Sequence, residues 1–157
     1  MGHNLSQQAV NQIERSCERL SIAYANYLDS QRYDEFAELF TEQAVLNAGT
    51  ELVGREAIRA AMHRRTPKLR SRHVLTNILV EVADEYQASG VTYLSLYRHI
   101  GEASLAPEPV AQFAPAAIGE YVDQYEKTAS GWRIASRVLS FAFQNHEAFI
   151  RPKPQSK

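Results

Sequence analysis

Apolar residues recur at three- and four-residue spacing through Val10, Ile13, Cys17, Leu20, Tyr24, Tyr27 and Leu28, which predicts an amphipathic helix from about Gln7 to Leu28. A second, short helix is expected over Tyr33–Phe40, where Tyr33, Phe36, Leu39 and Phe40 share one face. Ala44–Asn47 and Glu51–Val53 then predict two short strands around the turn Ala48-Gly49-Thr50. Gly54 precedes a third helix from Arg55 to about Arg65, and Pro67 closes it by denying the next turn a hydrogen bond.

The second half of the chain changes period. His73–Val82, Val91–Ile100, Ile118–Lys127 and Trp132–Phe143 predict four strands, the last two joined by Thr128-Ala129-Ser130-Gly131. Val91, Tyr93, Ser95 and Tyr97 alternate with Thr92, Leu94, Leu96 and Arg98, the pattern of an antiparallel sheet with one face on helices and the other partly polar. Helices first and strands later predict an α+β fold. Residues 1–150 read as a single domain, and residues 151–157, where prolines alternate with charges, read as a frayed tail. Gly101–Ala117, with Pro107, Pro109 and Pro115, is too long for a tight turn and too apolar for a solvated linker, so a lid or an interface arm is expected there.

Composition narrows the function classes. The 157 residues are 45% hydrophobic, enough for one filled core. Seventeen basic residues against 18 acidic ones give a formal charge of -1, which leaves no electrostatic footprint for nucleic acid or an anionic membrane. No apolar run approaches the roughly 20 residues of a membrane span. Cys17 stands alone, and the start Met-Gly-His-Asn-Leu-Ser lacks the basic and apolar regions of a signal peptide, so a cytoplasmic protein is expected.

The candidate chemistry lies in Asp29, which ends the first helix, and His73, which opens an apolar strand. Brought together, they make a carboxylate–imidazole dyad, a general base in which the carboxylate orients the ring and fixes its tautomer. Plainer readings stand beside this one: Asp29 as a cap or turn residue, and His73 as a satisfied core or edge histidine. His63 and His99 lack partners at ligand spacing, so no metal is expected. The absence of a glycine-rich phosphate loop, an activated serine or cysteine motif and a dinucleotide fingerprint points to no cofactor.

The order of elements and the stretches Tyr24–Phe40, Gly54–His63, Ser71–Asn77 and Tyr121–Arg137 carry a resemblance that covers about residues 8–145. The chain resembles SnoaL-like proteins of the nuclear-transport-factor-2-like superfamily, in the branch of scytalone dehydratase, hexachlorocyclohexane dehydrochlorinase and bile-acid 7α-dehydratase. The resemblance implies a cone-shaped α+β barrel, a curved and mainly antiparallel sheet wrapped on N-terminal helices, with Asp29 and His73 meeting inside as the catalytic dyad. It also implies a catalytic role for Tyr24, five residues before Asp29 as in proteins resembling bile-acid 7α-dehydratase, and a functional role for Arg137, where dehydrochlorinase-like proteins carry an arginine. Core packing for Tyr24 and a sheet-face ion pair for Arg137 are the structural alternatives. The chain departs from these relatives too: no histidine stands near Ala116–Ile118, where the second histidine of scytalone dehydratase-like enzymes would fall, and Tyr24 replaces the dehydrochlorinase-type lysine.

These readings converge on a cofactor-independent lyase or isomerase acting on a hydrophobic small molecule, with His73 abstracting a C–H proton during dehydration, dehydrohalogenation or a double-bond shift. A noncatalytic ligand-binding or structural subunit, resembling the small subunit of ring-hydroxylating oxygenases, is the alternative from another class. Polyketide cyclisation is a third. Apolar residues on the outer sheet face predict a homo-oligomer, a dimer or a trimer.

Overall fold

The structure, a computed structural model, describes residues 5–111 and 114–149. Helix α1 (Gln7–Asp29) starts at Ser6, whose hydroxyl oxygen accepts a hydrogen bond from the Ala9 amide at 3.2 Å. Its buried stripe holds Ile13, Cys17, Leu20, Tyr24 and Leu28, and also Ser21, a polar residue with no accessible surface. The helix ends in a Schellman motif: Gln31 takes φ 58°, its amide donates to the Leu28 carbonyl, and the Arg32 amide donates to Tyr27. That motif fixes Asp29 as the last helical residue.

Helix α2 (Tyr33–Ala37) is shorter than the predicted Tyr33–Phe40 helix, because Phe40 already opens strand β1 (Phe40–Asn47). The Leu39 carbonyl accepts from the Ile134 amide at 2.9 Å, so the sheet captures the chain before another helical turn forms. Strand β2 (Glu51–Val53) pairs antiparallel with β1 as a hairpin. Helix α3 (Arg55–His63) follows Gly54, which adopts φ 91°. Arg55 and Arg59 tie α3 to Glu38 and Asp34 on the α2 side.

Strands β3 (Leu69–Val82), β4 (Gln87–Ile100), β5 (Ala117–Thr128) and β6 (Gly131–Gln144) complete one six-stranded sheet of order β2-β1-β6-β5-β4-β3. Only β1 and β6 run parallel. The sheet is not closed, β2 and β3 being opposite edges, and the cone-shaped α+β fold implied by the resemblance is present in this open form. Closure fails for lack of edge to pair, since β2 is only three residues long and α1 packs against β3. Irregularities between Thr76 and Leu79, Ile118 and Gly119, and Gln124 and Tyr125 add the local bend and twist that curve the sheet over the helices. Gly119 is required at its bend, because a Cβ there would fall 2.1 Å from the Ser140 carbonyl oxygen.

The core lies between the helices and the inner sheet face, with Phe36, Phe40, Leu46, Ile58, Leu94 and Ile134 at its centre. Burying each such side chain contributes roughly 1.5–3 kcal/mol. The segment expected to be a lid begins with a helical turn, Glu102–Ser104, and Arg70 grips it by donating to the carbonyls of Ala103, Ser104, Ala106 and Glu108. Those bonds moor the segment to β3. The predicted tail, residues 151–157, lies outside the described residues. Among the described residues, no helix is long and apolar enough to cross a membrane.

Candidate active site

Asp29 and His73 are 44 positions apart in the chain and touch in the fold. The Schellman turn and the Gln31 side chain, which donates to the Leu69 carbonyl at 3.1 Å, bring the end of α1 against the start of β3. Three donors then converge on one carboxylate. The Ser71 hydroxyl reaches Asp29 Oδ1 at 2.7 Å, the His73 backbone amide reaches Oδ2 at 2.8 Å, and His73 Nδ1 reaches Oδ1 at 2.6 Å. The side chains are 12% and 7% exposed for Asp29 and His73, so this contact is largely screened from water.

The cap reading of Asp29 does not describe this geometry, because Ser30 and Gln31 satisfy the helix end and, among the described residues, the Asp29 carboxylate bonds only across to β3. A carboxylate at a helix C-terminus opposes the helix dipole at a cost of about 0.3–1 kcal/mol. Hydrogen bonds to a charged group contribute about 1.5–3 kcal/mol each, so the three donors outweigh that cost. The same balance sets the charge. Burial pushes the Asp29 carboxyl up, but the hydrogen bonds and charge of His73, its backbone amide and the Ser71 hydroxyl together hold it below its ordinary value of 3.8.

An ionised carboxylate can only accept, so His73 Nδ1 carries the hydrogen in their shared bond. In the neutral ring the lone pair is then on Nε2, which has no hydrogen-bond partner among the described residues. Register places the ring on the inner sheet face, since His73 lies opposite the buried Leu96 and Ser71 opposite Arg98. The arrangement is that of an oriented imidazole able to take a proton.

Arg137 and Tyr24 belong to a second cluster. Arg137 and Asp123 are paired across β5 and β6 and form a bidentate ion pair, Nε to Oδ1 and Nη2 to Oδ2, both at 2.7 Å. Both side chains have no accessible surface. Nη2 also donates to the Ser21 hydroxyl at 2.7 Å, and the Tyr125 hydroxyl donates to Asp123 Oδ2 at 2.7 Å. The Arg137 guanidinium stands 4.2 Å from the Tyr24 ring centre and 4.4 Å from that of Tyr121, and its buried Nη1 has no partner. Burial opposes the charge on Arg137, but Asp123 holds it protonated. Tyr24 packs on Phe36, Phe40 and Tyr121, and burial raises its hydroxyl above the ordinary value of 10.0 despite the nearby arginines, so the group stays a donor. Among the described contacts, those of Arg137 are with Asp123, Ser21, Tyr24 and Tyr121, and none is with the dyad. Tyr24 lies five residues before Asp29, about 7.5 Å along the helix axis.

Sequence reading missed Ser21, Ser71 and Asp123. A signal for Asp123 was present: in Tyr121-Val122-Asp123-Gln124-Tyr125 a carboxylate takes an inward position between two tyrosines, and β5 buries those three while exposing the other two. Of the remaining histidines among the described residues, exposed His63 bonds Asp34 at 3.1 Å, His99 bonds Ser104 at 2.8 Å, and His146 lies in the terminal helical turn. Among the described residues, no group of three or more His, Cys, Asp or Glu side chains is placed to hold a metal.

Comparison with known proteins agrees with the architecture. Similar solved structures include a scytalone dehydratase-like protein from Novosphingobium aromaticivorans, at 19% identity and a TM-score of 0.74, covering 88% of this chain and 89% of that one. A nuclear-transport-factor-2-like protein with a cystatin-like fold from the same organism aligns at 18% identity and a TM-score of 0.73, over 91% of this chain and 90% of its own. LinA aligns at 15% identity and a TM-score of 0.72, over 88% of this chain and 92% of its own. At these identities the likeness is one of fold. No curated protein sequence matches the chain. Residues 12–138 match the model of the SnoaL-like domain, and the chain belongs to that family.

Proposed function

We propose that this SnoaL-like domain is a cofactor-independent lyase or isomerase acting on a hydrophobic small molecule. The observation that carries the reading is the Asp29–His73 contact, which leaves Nε2 of an oriented ring without a partner on the inner face. His73 removes a proton from a carbon next to a carbonyl or a leaving group, and Asp29 orients the ring and balances the imidazolium that forms. Tyr24, held as a neutral donor, hydrogen-bonds the oxygen on which charge develops. Arg137 acts through Tyr24 and Tyr121, whose faces it holds, because Asp123 already occupies its Nε and Nη2 edge. Its part is therefore one of positioning.

A positioned base contributes about 10²–10⁴-fold, so the substrate must bring an already acidified C–H bond. Dehydration, dehydrohalogenation and double-bond migration meet that condition, and polyketide-type cyclisation uses the same base on a different substrate. A scaffold or binding subunit needs no such dyad, and the shielded Asp29–His73 pair favours catalysis over it. The test is turnover of a panel of β-hydroxy ketones and related steroids by the wild type and by His73→Ala. The proposal requires activity that falls at least about 10²-fold in the variant; activity unchanged by the substitution removes the dyad from the mechanism.

The same reading includes self-association. Val74, Tyr93, Val122, Val138 and Phe143 on the outer sheet face are between 42% and 70% exposed, a patch that a second copy of the chain would cover. Sedimentation at micromolar concentration should give a dimer or trimer; a monomer at all concentrations refutes it.

A further inference from the structure

Arg98 is an arginine left without an anion at the edge of the site. It faces inward on β4, directly opposite Ser71, whose hydroxyl is bonded to Asp29, and one inward position from Leu96, which is opposite His73. Paired side chains of this kind have Cβ atoms about 5 Å apart, so Arg98 borders the dyad. Several other arginines are occupied: Arg32, Arg55 and Arg59 by carboxylates, Arg70 by carbonyls, Arg137 by Asp123. Arg98 has neither an ion pair nor a hydrogen bond among the described residues, and its Nε is buried without a partner.

Two further features place it. The guanidinium stacks 4.6 Å over the Phe149 ring, so that ring covers a face of the group and accepts none of its N–H bonds. Arg65, just past α3, also lacks an acidic partner among the described residues, and its charge acts on both Arg98 and the Tyr24 hydroxyl. Arg65 and Arg98 thus carry like charges that oppose each other. Desolvating a guanidinium beside a like charge is costly, and an anion supplied by the ligand offsets that cost.

We propose that Arg98, assisted by Arg65, forms a carboxylate-binding subsite beside the Asp29–His73 dyad, so that the ligand of this site is an apolar small molecule bearing a carboxylate. A carboxylate matches the planar fork that an Nε–H and an Nη–H present. The subsite makes Arg98 a specificity-determining residue. It rests on the active-site reading only for its location, and its own readout is binding rather than turnover.

The test is calorimetric titration of the protein with 2-naphthoate and, separately, with neutral 2-naphthamide. The wild type is expected to bind the acid at least tenfold more tightly than the amide. Arg98→Gln should abolish the preference, Arg98→Lys should restore part of it, and Arg65→Gln should weaken it by a smaller factor. His73→Ala should leave it within about twofold, which separates this inference from the catalytic one: loss of turnover with retained preference supports both, and retained turnover with retained preference overturns catalysis by the dyad alone. Equal affinity for acid and amide, absence of binding by either probe, or a preference that survives in Arg98→Gln overturns the subsite. Circular dichroism of each variant before titration ensures that a lost preference reports binding and not unfolding.

Discussion

The Asp29 carboxylate holds His73 at two points, Oδ2 on the backbone amide at 2.8 Å and Oδ1 on ring Nδ1 at 2.6 Å. One group therefore fixes both the strand position and the ring rotamer of the histidine, and the Ser71 hydroxyl at 2.7 Å prevents the carboxylate from turning away. Preorganisation of this kind turns a common residue pair into a candidate base, because no rearrangement is needed when the proton moves.

Asp29→Asn tests that coupling. The amide is isosteric with the carboxylate but uncharged, so it neither balances an imidazolium nor enforces the Nδ1–H tautomer. Turnover of whichever panel substrate the wild type accepts should fall by about 10²–10⁴-fold with KM changed little. A fall of less than tenfold would show that the ring alone suffices.

Acid stability follows from the same carboxylate. Its folded pKa is lowered below the ordinary 3.8, so the stability it contributes is complete above the unfolded value and is lost as pH falls through the folded one. In urea titrations the advantage of the wild type over Asp29→Asn should hold from about pH 7 down to about pH 5 and then shrink towards about pH 2. An advantage that grows on acidification would reverse the sign of the argument.

Tyr24→Phe separates packing from chemistry. The ring keeps its contacts with Phe36, Phe40 and Tyr121, so unfolding free energy should change by no more than about 1.5 kcal/mol. Turnover should fall by about 10²–10³-fold if the hydroxyl supports developing charge. Unchanged turnover would return Tyr24 to the core.

The Asp123–Arg137 pair should behave as one unit in denaturant titrations. Asp123→Leu leaves a fully buried guanidinium unpaired and should cost about 3–5 kcal/mol, whereas Asp123→Leu combined with Arg137→Met should cost less than the single change. Additive costs in the double variant would mean that the two side chains are not energetically coupled.

How much of this was legible in the sequence depends on the type of signal. The periods of 3.6 and 2 located the helices and the four long strands, because an amphipathic face follows directly from burial of Ile13, Leu20 and Leu28 or of Leu94 and Tyr121. Phe40 was placed on the wrong element, since its apolar face suits a helix and a strand equally and only the Leu39–Ile134 hydrogen bond decides. The end of α1 was legible, but not that Gln31 would adopt the left-handed conformation and direct Asp29 at β3. Ser71 was missed because its role depends on cross-strand register, which no local pattern encodes, whereas the alternation around Asp123 marked it as inward and only its partner Arg137 depended on register. That the sheet stays open was likewise a property of its two edges, β2 and β3, which do not pair with each other.

Solvent-deuterium exchange is the most direct test of His73 as a base. Incubation in D2O of the wild type with a ketone from the turnover panel, followed by mass spectrometry or proton NMR, reports removal of the C–H proton even where no product forms. The account predicts exchange at the carbon next to the carbonyl by the wild type, slowed at least about 10²-fold in His73→Ala. Exchange at the same rate in both proteins would contradict it.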